Sequence, residues 1–411
     1  MTGLFAIVGA GQAAATAVES LRREAYSGRI VVIGDEEHLP YQRPPLSKKY
    51  FLGEMPFERL LIKPASFYEQ ARAEVRLGVN VESLDLKRRE LMLSDGDRLI
   101  YERLLLATGS VPRRLTLPGH DLKGLHYLRT ARDVERIRGE LTSAPKKVVV
   151  VGAGYIGLEV AATCRQLGHS VEVLEMADRV MNRVVAPEVA AFFLSQHRSR
   201  GVHIHTDTLV AAFDSQTHNP GLVGAVLTTD GRRFPADLVI IGIGVVPNAT
   251  LAQTAGLQVD NGISVDEYCR TSDPHVWAAG DCTSHPSGRY QRRVRLESVD
   301  SAFEQARIAA TNMCGRSAGH NKVPWFWSDQ YELKLLIVGL SSGYERIVLR
   351  GEPHTGSFSC CYLKGQELLA IDCVNNQKDF VAAKKLIADR AHFDTQKLSD
   401  VRVALKDALA A

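Results

Sequence analysis

The 411 residues carry 50 Lys and Arg against 47 Asp and Glu, a formal net charge of +3, and 45% of them are hydrophobic. That length suits about three domains at ~150 residues each, with enough apolar residues for packed cores. So small a charge surplus, with no basic run interleaved with aromatics, argues against nucleic-acid binding; no apolar stretch reaches ~18 residues, so no membrane span is expected, and without a basic n-region the expected compartment is the cytoplasm. The chain opens on the apolar run Leu4-Phe5-Ala6-Ile7-Val8, which predicts a strand. It leads directly into Gly9-Ala10-Gly11-Gln12-Ala13-Ala14, which predicts a tight turn and a helix start. In such a fingerprint the first Gly makes the turn, the second lets backbone approach a pyrophosphate, and the third position must be small so that helix and strand touch. The helix N-terminus then offers free N–H groups to the phosphates. A second strand, Arg29 to Asp35, ends in an acid suited to a ribose diol.

Leu104-Leu105-Leu106 predicts a short buried strand, followed by Ala107-Thr108-Gly109 at a glycine turn. Pro112 and Pro118-Gly119 read as a crossover. The whole pattern then repeats. Lys147-Val148-Val149-Val150-Val151 predicts a strand, Gly152-Ala153-Gly154-Tyr155-Ile156-Gly157 a second fingerprint, and Ser170 to Glu175 a strand ending in an acid. Glu175 would repel a 2′-phosphate, which favours NADH over NADPH; Arg179 and Arg183 lie close by and pull the other way. Two dinucleotide sites in one chain imply electron transfer between two dinucleotides. This unit closes on Leu238 to Ile241 and Gly242-Ile243-Gly244. Val276 to Asp281 and a helix near Ser301 to Asn312 read as a return to the first domain. From about Val323 the pattern changes to strands (Lys334 to Val338, Glu345 to Arg350, Ser357 to Leu363, Leu368 to Cys373) that lead to helices near Asp379 to Arg390. The expected class is α/β, with two Rossmann-like dinucleotide-binding domains of glutathione-reductase type and a C-terminal α+β domain. The expected boundaries are 1–110 with 248–322, then 111–247, then 323–411.

The seven cysteines, Cys164, Cys269, Cys282, Cys314, Cys360, Cys361 and Cys373, form no CxxC or zinc-type pair. The dithiol relay of a flavin disulfide reductase is therefore not visible, nor is any iron–sulfur or other metal ligand set.

With these residues in hand, the chain resembles the NADH-dependent, FAD-containing ferredoxin reductases of bacterial oxygenase systems, over essentially its whole length. The resemblance is carried by Arg43-Pro44-Pro45-Leu46-Ser47-Lys48, Ala107-Thr108-Gly109, Gly152 through Glu159, Gly242-Ile243-Gly244, Ala279-Gly280-Asp281 and Pro324-Trp325-Phe326-Trp327-Ser328-Asp329-Gln330. It implies FAD in the first site and NADH in the second. Gly9, Gly11, Gln12 and Ala13 would border the FAD pyrophosphate, Asp35 the adenosine ribose, Arg43 the adenosine end and Val81 the adenine. Arg129 would approach the FAD phosphates and Asp281 the ribityl chain. Glu297-Ser298-Val299 and Trp327 would sit by the isoalloxazine, with Trp325 as packing. Lys48 and Glu159 are the expected catalytic pair beside the flavin on its nicotinamide side, Lys48 favouring the electron-rich reduced ring and Glu159 offsetting its charge.

The implied activity passes electrons from NADH through FAD to a separate [2Fe–2S] ferredoxin, which feeds a cytochrome P450 or a ring-hydroxylating dioxygenase. Ferredoxins are acidic, and Arg289, Arg292, Arg293, Arg295 and Arg307 are the expected docking cluster. A monomer or weak homodimer is expected. Open alternatives are a rubredoxin reductase, a flavoenzyme reducing small molecules or oxygen, and an apoptosis-inducing-factor-like NADH-binding flavoprotein.

Overall fold

The structure is a computed structural model that describes residues 3–141 and 144–410. Its contacts divide the chain into two compact units: Met1–Gln42 with Phe57–Val111 and Val245–Lys322, and Arg43–Pro56 with Pro112–Gly244 and Val323–Ala411.

The first unit is built on a five-stranded parallel sheet in the order Val276–Ala278, Arg103–Leu106, Leu4–Val8, Arg29–Ile33, Ala73–Arg76. Phe5, Ala6, Ile7, Ile30, Val31, Val32, Leu104, Leu105 and Leu106 are fully buried. Such continuous apolar runs arise because a parallel sheet is covered on both faces. One cover is the helix Gln12–Arg23 packed with the helix Val299–Met313 through Ala13, Ala14, Ala17, Ala302, Ala306 and Ala309. Small residues let the two helices lie close to the sheet and to each other. The opposite face carries the antiparallel strands Val81–Asp85, Glu90–Leu93 and Arg98–Ile100, with Leu84, Leu91 and Leu99 turned inward. These strands are short and mostly half-exposed, so no unbroken apolar run marks them in the sequence.

The second unit repeats the plan. Its parallel sheet runs in the order Val202–His205, Ser170–Leu174, Lys147–Val151, Leu238–Ile241, Leu125–Tyr127. A meander of Val210–Gln216, Asn219–Thr228 and Arg233–Pro235 packs on it through Phe213, Val223, Val226 and Phe234. The same unit holds a five-stranded antiparallel sheet in the order Trp325–Gln330, Leu333–Gly339, Glu367–Val374, Phe358–Lys364, Arg346–Arg350. The helix Gln377–Ala388 covers one face with Phe380, Ala383 and Ile387, and its end is fixed by Asn376, whose side chain accepts from Asp379 N–H. An α/β chain with parallel Rossmann-like sheets and a C-terminal α+β part is the observed class. Among the described residues no helix is long and apolar enough to cross a membrane.

Candidate functional site

The two glycine turns share one backbone geometry. Gly9 N donates to Ile33 O at 2.8 Å and Gly152 N to Leu174 O at 2.8 Å, joining each turn to the end of its neighbouring strand. Ala107 N donates to Val8 O at 2.7 Å and Gly242 N to Val151 O at 2.8 Å on the other side. Gly9 sits at φ +109° and Gly152 at φ +99°, and a Cβ would meet the backbone oxygen of Ala107 at 2.2 Å or of Gly242 at 2.6 Å. Only glycine serves at either corner. A Cβ on Gly11 or Gly154 would meet nothing within 4 Å. Open space at the second glycine, facing a helix that starts one residue later at Gln12 or Tyr155, is the cradle a pyrophosphate needs. The residues therefore fit two dinucleotides. The turns differ at their third small position: Ala14 is accommodated fully buried, whereas a Cβ on Gly157 would lie 2.0 Å from Gly152 O.

In the first unit, Asp35 is exposed at the end of its strand, and Gly34 O accepts from Val79 N at 3.0 Å, which brings the Val81 segment to the same strand end. Thr108 Oγ1 donates to Asn248 O at 2.5 Å and Gly109 O accepts from Asn248 N at 2.9 Å. Asp281 Oδ2 accepts from Ser110 Oγ at 2.9 Å. Gly280, in the left-handed region at φ +88°, donates its N–H to Gln305 Oε1 at 2.7 Å. Gln305 also receives Thr283 Oγ1–H at 2.8 Å and pairs with His285 Nδ1 at 2.9 Å, so one buried amide holds the Ala279-Gly280-Asp281 corner. Burial, with His320 and Arg293 nearby, pushes the His285 imidazole down to about 3, so it stays neutral. Gln305 is a residue the sequence reading missed. Ser298 caps the helix Val299–Met313 by accepting from Ser301 N at 3.1 Å, and Glu297 pairs with Arg295.

In the second unit, Lys48 and Glu159 meet. Lys48 Nζ lies 2.7 Å from Glu159 Oε2, the lysine side chain 17% exposed and the glutamate 1%. The turn Pro44–Ser47 presents the lysine and the helix Tyr155–Gln166 the glutamate. Thr163 Oγ1 donates to Ser47 O at 2.7 Å and so fastens that turn to the helix. Glu159 Oε2 also accepts from Ser47 Oγ at 2.5 Å, and Oε1 accepts from Ser328 Oγ at 2.6 Å. Every donor around this buried carboxylate points at it, which offsets its desolvation. Lys48 Nζ gives a second N–H to Pro44 O at 3.3 Å, so two of its three donors have acceptors here.

Arg43 donates to Arg129 O at 2.8 Å, and Arg129 N donates to Asp133 Oδ2 at 3.1 Å, so both arginines flank the start of the helix Ala131–Glu140. Glu175 stands beside its glycine turn, accepting from Ala153 N at 2.6 Å and Ala177 N at 2.9 Å. Tyr155 packs at 4.9 Å against Phe326, and burial with Asp372 and Glu159 nearby raises its hydroxyl well above the ordinary phenol value. Ile156 is exposed, and Gly244, following Ile243, accepts from Arg113 N at 3.0 Å. Trp327 is half-buried at 5.6 Å from Trp325, which in turn packs on Phe380 and under Lys384 Nζ.

Of the arginine cluster, Arg293 donates to the backbone of Val265 and Ser284, Arg295 pairs with Glu297, and Arg307 pairs with Glu304 at 2.8 Å. Arg292 is exposed. Of the seven cysteines six are buried, and burial raises their thiols, a setting unsuited to a thiolate relay.

Residues 5–306 match the model of the pyridine nucleotide-disulphide oxidoreductase family, and residues 325–409 that of a reductase C-terminal domain. The chain belongs to this family. Putidaredoxin reductase CamA of Pseudomonas putida is 44% identical over 408 residues, 98% of this chain and 96% of the relative. The covalent putidaredoxin reductase–putidaredoxin complex superposes with a TM-score of 0.95 at 44% identity, over 99% of this chain and 98% of the other. The ferredoxin reductase for the CYP199A2 system from Rhodopseudomonas palustris gives 0.95 at 39% identity, over 99% of this chain and 100% of the other. Within the family the chain groups with the ferredoxin reductases of oxygenase systems, flavoprotein oxidoreductases that use FAD and a nicotinamide dinucleotide.

Proposed function

We propose that this chain passes electrons from NADH through FAD to a [2Fe–2S] ferredoxin that supplies a cytochrome P450 or a ring-hydroxylating dioxygenase. The observation that carries the reading is the duplicated glycine turn, two phosphate cradles of the same backbone geometry in one chain. Similarity over nearly the full length to reductases of oxygenase systems supports the ferredoxin acceptor. Bound FAD supplies chemistry that the side chains lack, taking the two electrons of a hydride together and releasing them singly.

The chain's own residues bind and orient. In the first unit the N-terminus of the helix Gln12–Arg23 and the open space at Gly11 would receive the FAD pyrophosphate, Asp35 its ribose and Asp281 its ribityl hydroxyls. In the second unit Gly154 would receive the NADH pyrophosphate and Glu175 its ribose. Lys48 would offer its remaining N–H and its positive charge to an electron-rich reduced ring, while Glu159 neutralises the ammonium without leaving a buried charge unpaired. Neither residue is asked to move a proton.

For docking an acidic ferredoxin, the exposed Arg292 is the member of the arginine cluster we assign to the contact. Arg293, Arg295 and Arg307 are committed to neighbours in the same chain. We place the protein in the cytoplasm as a monomer or weak homodimer.

The test is direct. The purified protein should be yellow, should be reduced by NADH in preference to NADPH, and should pass electrons to ferredoxins from a panel that includes rubredoxins. A colourless protein that cannot be reconstituted with FAD would defeat the reading. Preference for rubredoxin would move the acceptor, and a long-lived charge-transfer complex with slow flavin reduction would remove catalytic turnover from its role.

A further inference from the structure

Beyond Ser328, the hydrogen bonds around Glu159 continue into the protein. Gln330 Nε2 lies 3.3 Å from Ser328 Oγ, and Gln330 Oε1 lies 2.8 Å from His197 Nε2. Ser328, Gln330 and His197 are each no more than 1% exposed. Ser328 and Gln330 stand two residues apart on the strand Trp325–Gln330 and so share one face. His197 comes from the last turn of the helix Pro187–Ser199. His197 Nδ1, at the far end, is buried without a hydrogen-bond partner among the described residues.

The direction of every proton in this chain follows from its two ends. A carboxylate only accepts, so Ser328 must donate its one O–H to Glu159. Ser328 can then only accept from Gln330, which turns the amide nitrogen toward the serine and the amide oxygen toward His197. The oxygen requires a donor, so His197 carries its proton on Nε2. The reverse direction would put that proton on Nδ1, where a dry N–H would go unsatisfied. Amide and tautomer assignments are fixed by such networks. We infer that Ser328, Gln330 and His197 are positioning residues, a one-way hydrogen-bond chain that holds Glu159 as a carboxylate facing Lys48.

Burial lowers the His197 imidazole to about 4, in keeping with a neutral ring that has a donor on one side only. The inference rests on the reading of Lys48 and Glu159 given above, but its decisive measurement does not.

The decisive measurement is the tautomer of His197, read by long-range 1H–15N correlation on histidine-labelled holoprotein, with the signal assigned by its loss in His197→Leu. The neutral Nε2–H form is expected at pH 7. An Nδ1–H or doubly protonated ring would overturn the chain even if Lys48→Met slowed flavin reduction as expected. A kinetic arm separates positioning from packing. His197→Leu should slow flavin reduction at saturating NADH about 3- to 10-fold with the NADH dissociation constant little changed, and His197→Gln, which restores a donor, should recover most of the loss. Equal defects in the two variants would reduce His197 to a packing residue. Ser328→Ala should show a similar loss, and the double variant with His197→Leu should be no worse than Ser328→Ala alone. Additive losses would mean that His197 does not act through Ser328.

Discussion

The ammonium of Lys48 rests 2.7 Å from the carboxylate of Glu159, and that carboxylate keeps two serine hydroxyls as well. Removing the lysine therefore strips a positive charge without leaving the glutamate bare. Lys48→Met should still bind FAD with an unchanged visible spectrum, while NADH reduces the flavin at least ~10-fold more slowly, about 1.4 kcal/mol in the barrier. Thermodynamic stability should fall by about 1–3 kcal/mol, the cost of one lost charge-assisted hydrogen bond at a buried group. Stopped-flow reduction at the native rate would take Lys48 out of the reaction.

The second and third glycines of the second turn make opposite demands. A Cβ on Gly154 meets open space, and its φ of −74° suits any residue. Gly154→Ala should leave the melting temperature unchanged or slightly raised, because Gly→Ala at a compatible site is worth about 0.4–1 kcal/mol. It should nevertheless raise the KM for NADH by ~10-fold or more, since the methyl fills the space assigned to phosphate. Gly157→Ala drives a Cβ to 2.0 Å from Gly152 O, so it should lower stability by about 1–3 kcal/mol as well. Thermal melts and NADH titrations on the two variants check the contrast, and equal behaviour would dissociate Gly154 from the coenzyme.

Glu175 is held at the same turn by two backbone N–H groups. Glu175→Ala should weaken NADH and leave NADPH less disfavoured, shrinking the ratio of kcat/KM values about 10-fold (about 1.4 kcal/mol). A ratio that does not move would assign the coenzyme preference to other residues, with Arg179 and Arg183 the first to be examined.

The sequence carried the strands Leu4–Val8 and Lys147–Val151 to their last residue, because strands covered on both faces read as unbroken apolar runs ending at a glycine, whereas the strand read from Arg29 to Asp35 stops at Ile33, before Gly34. The helix expected from Ser301 to Asn312 begins at Val299, because Ser298 caps it. The meander Val210–Gln216, Asn219–Thr228, Arg233–Pro235 was not legible: its residues are only half covered and its register is broken by bulges. Lys48 and Glu159 were named only through family motifs, since nothing local links a turn lysine to a helix glutamate so distant in the chain. Ser328 and Gln330 stood in a family motif without a role of their own, and Gln305 and His197 were missed, for a related reason. Each is an ordinary polar residue whose meaning lies in a partner from another element, and neither periodicity nor spacing records such pairings.

Ferredoxin affinity should fall with salt, as for any contact between a basic patch and an acidic partner. Arg292→Glu should lower the apparent affinity about 3- to 10-fold at low ionic strength (roughly 1 kcal/mol) and flatten its salt dependence. Arg307→Gln should do far less to docking, because its charge is already spent on Glu304. Steady-state titrations with ferredoxin at two salt concentrations distinguish these outcomes, and an Arg292→Glu variant with native affinity would move the contact elsewhere on the surface.

Acid stability should report two kinds of buried group with opposite sign. His197 at about 4 and His285 at about 3 are lowered by burial, so below pH 6.5 the unfolded chain binds protons that the folded chain refuses. Their contribution is present above pH 6.5 and is lost as pH falls toward 4. Asp372 is raised to about 7 by burial, although Tyr362 donates to it. Between pH 4 and 7 the folded chain therefore keeps a proton that the unfolded chain has released, and this group's contribution weakens as pH rises. It cancels about one proton of the histidine effect. Asp372→Asn removes the cancellation, so in urea unfolding between pH 5 and 6.5 the stability of that variant should rise with pH more steeply than the parent's by about 1.4 kcal/mol per unit. At pH 8, where the parent must bury an ionised Asp372, the variant should be the more stable of the two. Parallel pH curves would show that Asp372 is already ionised in the fold at pH 5, with the Tyr362 hydroxyl bond outweighing its burial.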